Sequence, residues 1–331
     1  MQFNSPTRPA FGGSQQKETV KSAMRIIKKA TLAILMIMGA LFSRGQQDPM
    51  YTQYIFNLQT INPAYVGYWQ TTGVTLLSRN QWVGINGHPT TQTFSLQTPL
   101  KNENVGIGFN VVIDKVGLEK RLSVNMDYSY QIFLSDYTTL RFGLKGGFTN
   151  YSNNLLEYVQ NDPSDPAFQG TIDNKFMPNF GIGLFLSSEK YYLSLSLPKI
   201  LENTYQSNVN NFSTKSEVRH LFFAGGLLFD LSENVKFKPS FMTKSVMGSP
   251  FEYDLSANFL LSEKFWIGAM YRSGDSYGAI AQWIFNRKLR FGYAYDFTTT
   301  DLRNYHNGVH EVMISYEFVY AKRRYISPRY F

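Results

Sequence analysis

The sequence predicts an all-β chain, a closed antiparallel transmembrane β-barrel of about 14 strands with short periplasmic turns and longer extracellular loops. Three observations carry that expectation. Apolar and polar residues alternate with period two over long segments, aromatic residues recur at segment ends, and short and long connections alternate along the chain. The composition agrees: of 331 residues 43% are hydrophobic and 16% aromatic, with Phe (27) and Tyr (22) abundant. No stretch of 18 or more apolar residues occurs, which argues against helical spans.

The alternation is clearest in residues 122–132. Leu122, Val124, Met126, Tyr128, Tyr130 and Ile132 alternate with Ser123, Asn125, Asp127, Ser129 and Gln131. Residues 251–261 repeat the pattern, with Phe251, Tyr253, Leu255, Ala257, Phe259 and Leu261 against Glu252, Asp254, Ser256 and Asn258. Successive side chains of a strand point to opposite faces, so one face is apolar and the other polar. Strands of a soluble sandwich usually end after five or six residues, whereas about ten are needed to cross a bilayer at a tilt.

Read in order, the pattern places strands near 71–80, 91–99, 104–114, 121–133, 137–150, 176–187, 190–198, 218–230, 234–245, 251–261, 264–273, 277–286, 288–297 and 309–319. Phe229, Tyr271, Trp283, Tyr295, Tyr316 and Phe318 sit near strand ends, where interfacial girdles form. The even-numbered links are tight, as in 134–136 and 261–264, while 151–175 and 199–217 are long. An even strand count puts both chain ends on the side of the tight turns, the periplasmic side in an outer-membrane barrel. Closure also removes sheet edges, which lipid cannot hydrogen-bond.

Upstream of the strands, Lys21, Arg25, Lys28 and Lys29 precede the apolar run 30–42, and Ser43 and Gly45 follow it. A basic stretch, a short apolar run and small residues make a secretory signal peptide, with a mature start near Gln46. Met24 begins a signal of ordinary length, so residues 1–45 read as an extension plus the signal at 24–45. Those residues hold seven of the 32 Lys and Arg and one of the 24 acids. The mature part is therefore close to neutral, which removes the basic face a nucleic-acid-binding reading needs. Cysteine is absent, excluding disulfides and thiolate metal sites.

Little else in the sequence reads as chemistry. The four histidines, His88, His220, His306 and His310, form no metal-ligand spacing. His310 beside Glu311 offers one base–carboxylate pair, the only hydrolase candidate, and it lacks a converging third group. Gly146-Gly147, Gly181-Ile-Gly183 and Gly225-Gly226 lie inside strands and read as places of curvature or close approach of another chain. Asp162, Asp165 and Asp173 read as a solvated loop in preference to a Ca²⁺ site. No cofactor, metal or catalytic residue is expected. The strand parity turns Asp127, Arg141, Lys145, Glu252, Asp254, Arg290, Asp296 and Glu317 inward, giving the lumen both signs of charge.

Two pieces remain outside the strands. Residues 46–70 crowd aromatics and amides around Asn62-Pro63 and read as a periplasmic or lumenal segment that folds back as a lid, ahead of a barrel at 71–319. Residues 320–331 form a basic tail holding Lys322, Arg323, Arg324 and Arg329.

The stretches QDPMYTQYIFNLQTINPAYVG at 47–67 and RNQWVGINGHPTTQTFSLQTPL at 79–100 resemble the PorP/SprF family of outer-membrane proteins of the Bacteroidetes type IX secretion system. The ending ISPRYF is similar to that of gliding-associated members, while Val66 stands where a small Ala is common. The resemblance implies a non-enzymatic outer-membrane component that exports or anchors a surface adhesin. Its implied partners are the adhesin's C-terminal domain, the type IX secretion components and outer-membrane lipid, with no nucleic acid. It leaves open a core PorP-like role at the periplasmic ring, and a passive outer-membrane channel stands as the other alternative. The positions that enter as lid or partner-contact residues are Tyr51, Tyr54, Phe56, Asn62, Pro63, Tyr65, Gln81, Trp82, Arg323 and Arg324.

Overall fold

The computed structural model describes residues 50–154, 171–206, 213–247, 249–286, 288–318 and 330–331. Among them the strands are β1 (Thr72–Asn80), β2 (Thr90–Pro99), β3 (Val105–Val116), β4 (Glu119–Phe133), β5 (Thr138–Asn154), β6 (Thr171–Ser188) and β7 (Tyr191–Leu197). Then come β8 (Thr204–Gln206), β9 (Ser213–Ser216), β10 (His220–Leu227), β11 (Phe229–Ser232), β12 (Val235–Val246) and β13 (Glu252–Leu261). The last are β14 (Phe265–Arg272), β15 (Ser276–Phe285), β16 (Leu289–Thr298) and β17 (Val309–Phe318).

Each barrel strand pairs antiparallel with its neighbours in chain order, and β1 pairs with β17 from Thr72↔Phe318 to Asn80↔His310. The pairing of β10 with β12 completes the ring. The barrel therefore has 14 strands, because β11 only prolongs the line of β10 beyond Leu228 and β8 with β9 forms a separate hairpin.

The expected strands are all present, with boundaries within a few residues. Three differences stand out. The segment expected at 218–230 divides at Leu228, where pairing with β12 shifts register between Asp230 and Ser232. Strand β6 starts at Thr171, inside the stretch read as loop, because residues 171–175 pair with the upper part of β5. The long connection before β10 holds the β8–β9 hairpin, whose short strands were too brief to show a period.

The strand ends at Thr72 and Phe318 lie on one rim, here called the turn rim. Its connections, 100–104, 134–137, 189–190, 233–234, 262–264 and 286–288, never exceed five residues. The opposite loop rim carries 81–89, 155–170, 198–219 and 299–308, together with three shorter links at 117–118, 247–251 and 273–275. The asymmetry holds, although not for every pair. At the loop rim the 81–89 connection is tied to its neighbours: Gly117 N donates to Gly87 O at 2.8 Å, and Asn307 N to Val83 O at 2.7 Å.

Outward positions keep their apolar side chains exposed, among them Met126, Leu144, Leu255, Ile267 and Ile314. Two aromatic belts border this surface. Phe237–Phe259 (4.8 Å between ring centres) and Phe265–Trp283 (5.1 Å) lie toward the turn rim. Tyr271–Tyr277 (5.1 Å) and Tyr295–Phe297 (4.5 Å) lie toward the loop rim. Six residues of β14 separate Phe265 from Tyr271, about 20 Å along a strand, close to the height of an outer-membrane apolar band.

The inner face is less uniformly polar than the alternation predicts. Asp127, Arg141, Lys145, Asp254, Arg290, Asp296 and Glu317 do point inward and are buried, but so are Phe185, Tyr192, Phe222, Met242, Trp266, Met270, Ile280 and Met313. The reason is that the protein's main hydrophobic core lies inside the barrel. It forms between the wall and the segment that precedes β1.

Candidate functional site in the barrel lumen

Residues 50–71 fill the lumen. They form three 3-10 turns at Tyr54–Phe56, Leu58–Thr60 and Pro63–Tyr65. A compact, irregular segment suits the space because short turns leave many backbone groups free, and the polar wall satisfies them. The third turn is set locally. Proline at its first position fixes φ, and the Asn62 side chain caps it by accepting from Ala64 N at 2.8 Å.

The lumenal segment is clamped near the loop rim by two charge clusters. Glu311 accepts the backbone N–H groups of Thr52 (2.9 Å) and Gln53 (2.8 Å) and a hydrogen bond from Arg79 Nη1 (3.0 Å). Arg79 Nη2 reaches Asp296 at 2.8 Å, and the Thr52 hydroxyl donates to the same carboxylate at 2.7 Å. All five residues are buried. Arg79 and Glu311 are also register partners across the β1–β17 seam, so this cluster joins the seam that closes the barrel to the segment within it. In the second cluster Arg272 grips Asp254 through Nε (3.1 Å) and Nη2 (2.9 Å), and Nη2 also donates to Tyr51 O at 3.2 Å.

Further along, each stretch of the segment finds its own seat. Gln59 Nε2 donates to Leu96 O at 3.0 Å and to Asp127 at 3.3 Å. Asn62 Nδ2 donates to Ser194 Oγ at 2.7 Å and to Leu184 O at 2.9 Å. Ser196 and Ser129 donate to Ile61 O (2.8 Å) and Val66 O (2.6 Å). Near the turn rim the Trp69 ring lies 5.2 Å from the Arg290 guanidinium, which is paired with Glu317.

Two wall glycines are part of the fit. A Cβ on Gly143 would collide with the backbone of Ala64, and one on Gly183 with the Asn62 amide oxygen. The close approach read for Gly181-Ile-Gly183 is therefore real at Gly183, and the approaching segment is the chain's own. Replacing Asn62 with Ala removes a cap and two buried hydrogen bonds, an expected loss of about 2–3 kcal/mol. Thermal unfolding of the detergent-solubilised barrel measures it; an unchanged midpoint would contradict this description of the turn.

Residues Tyr330 and Phe331 also reach this core. Phe331 is buried, its O accepts from Tyr65 Oη at 3.0 Å, and the Tyr192 ring lies tilted against its ring, 5.1 Å between centres. Lys238, fully buried in the wall, donates to Tyr330 O at 2.6 Å and lies 5.4 Å from the Trp266 ring. The Tyr330 phenol is raised above its ordinary range by burial and by its hydrogen bond to Glu263.

The expected lid and contact residues therefore separate. Tyr51, Tyr54, Phe56, Asn62, Pro63 and Tyr65 are brought together and buried in the lumen. Gln81 and Trp82 sit half-buried at the loop rim, and Arg323 and Arg324 lie outside the described residues. So do Asp162 and Asp165 and the proposed signal segment. Arg79, Arg272, Lys238 and Lys244 were not singled out by the sequence reading, although strand parity marks each as inward. The hydrolase pair is split. Glu311 points into the lumen, whereas His310 points outward and contacts Tyr293 Oη at 2.8 Å. No cluster of three metal-ligating side chains occurs among the described residues.

A 14-strand barrel with an apolar, girdled exterior and a lumen packed by its own chain is an outer-membrane protein rather than a soluble one. The family model for the type IX secretion system membrane protein PorP/SprF matches residues 43–316, and the chain belongs to that family. It is a secretion-system membrane protein, not an enzyme. No curated protein matches the sequence.

Solved outer-membrane barrels resemble the fold at low identity. The CymD monoaromatic hydrocarbon channel is 11% identical with a TM-score of 0.48, over 85% of this chain and 97% of that one. A Pseudomonas aeruginosa FadL homologue is 12% identical with a TM-score of 0.46, over 85% and 96%. The Acinetobacter baumannii protein Omp33 is 8% identical with a TM-score of 0.45, over 75% and 99%.

Proposed function

We propose that this type IX secretion component works by protein–protein binding, exporting or anchoring a surface adhesin through the adhesin's C-terminal domain in the SprF-like manner associated with gliding. The observation that carries the reading is the filled lumen. Residues 51–69 occupy the interior and are held by buried charge clusters, which favours binding over the passive-channel alternative. In this reading residues 24–45 are the export signal, the turn rim faces the periplasm and the loop rim faces outward. The aromatic belts contact outer-membrane lipid. The long connections of the loop rim supply the contact area for the adhesin.

The experiment is recovery of partners on the detergent-solubilised, affinity-tagged barrel. An adhesin fragment carrying its C-terminal domain is the expected partner. Recovery of periplasmic ring components alone moves the assignment to the core PorP-like role. Recovery of neither class removes the proposal.

A further inference from the structure

The lumenal segment has a direction as well as a fit. Strand β1 starts at the turn rim, and the residues just before it stay there: Trp69 meets Arg290 near the start of β16, and Gly67 N donates to Gln97 near the end of β2. Followed backwards, the chain crosses the middle of the lumen at Gln59, beside Asp127, and at Tyr54, which lies near Ser256 and Asp254. It reaches Thr52 and Tyr51 at the other end. There its partners are Arg79, one residue from the end of β1, and Glu311, two from the start of β17. Asp296 is two from the end of β16, and Arg272 is the last residue of β14. Four strands thus place the same two residues within one or two positions of the loop rim.

We infer that the amino-terminal segment is a strap running through the barrel, and that the chain opens at Met50 onto the loop rim. Two residues of extended chain span about 7 Å, enough to carry Met50 from the Thr52 cluster to the rim. The direction has two consequences. The segment is joined to β1 at the turn rim and its upstream end lies toward the loop rim, so leaving toward the turn rim means drawing that end through the full height of the lumen. In addition, Met50, half-buried against the lumenal core, puts the chain's entry on the same rim as the 81–89 and 299–308 connections. Calling that side the cell surface rests on the orientation adopted under Proposed function; the strap's direction does not.

The absence of cysteine allows a direct test by single-cysteine labelling. Met50→Cys is compared with Tyr305→Cys in the 299–308 loop and Tyr137→Cys in the 134–137 turn, two residues that are 74% and 69% exposed. Cells carrying each full-length variant are treated with a membrane-impermeant maleimide before and after outer-membrane permeabilisation. The expected result is that Met50→Cys behaves like Tyr305→Cys. Labelling that follows Tyr137→Cys, or that appears only after unfolding, overturns the strap. If Tyr305→Cys needs permeabilisation and Tyr137→Cys does not, the adopted orientation is wrong. The strap is then still decided by which of the two Met50→Cys follows.

Discussion

Replacing Arg79 with Met is expected to destabilise the barrel by about 3–5 kcal/mol, because it leaves two buried carboxylates without their cation. Asp296 and Glu311 are both nearly inaccessible, and Arg79 is the basic residue paired with each of them. The loss acts at two places together. It weakens the β1–β17 seam, where Arg79 faces Glu311, and it frees Thr52 and Gln53 from the carboxylates that hold the lumenal segment. The measurement is the temperature at which the compact barrel is lost in detergent. Arg219→Ala serves as the comparison, since its pair with Glu202 is exposed and worth at most about 1 kcal/mol. Equal shifts for the two variants would show that the buried cluster is no clamp.

The second large effect is expected at the wall glycines. In Gly143→Leu/Gly183→Leu, both new side chains enter space already held by Pro63, Ala64 and Asn62. A core as dense as a protein interior cannot absorb two such side chains, so the segment and not the hydrogen-bonded wall has to move. Chymotrypsin reports the displacement. Residues 50–71 contain many aromatic cleavage sites and no Lys or Arg, and in the native barrel they are sealed. Rapid cleavage within that segment is expected for the double variant and slow cleavage for the native protein. Equal resistance of the two would mean that the fit at these glycines does not hold the segment in place.

The strands were legible because period two is a local signal repeated in every crossing. In β4 from Leu122 to Ile132, and in β13, each outward residue is apolar and most inward ones are polar, so both the span and the facing could be read. In β14, Phe265–Arg272, apolar residues stand on both faces, and the inward burial of Trp266 and Met270 depends on the lumenal segment lying opposite. The sequence around Asn62-Pro63 pointed to a packed lid and to the turn itself. It could not supply the partners, since Asn62 meets Ser194 and Thr52 meets Asp296 across spans that carry no periodic signal. His310 and Glu311, the pair set aside for want of a third group, show how little adjacency in sequence says about facing. Adjacent residues suggested a shared role, while strand parity places them on opposite faces.

Current through the native barrel tests the central claim, that the lumen is filled by the chain itself and the protein acts by binding. The purified protein is reconstituted alone in planar bilayers, with Gly143→Leu/Gly183→Leu alongside it to establish that inserted barrels are detected. The account predicts a silent native barrel and steady conductance from the double variant. Steady conductance of the native protein, at the level of the variant, would contradict it.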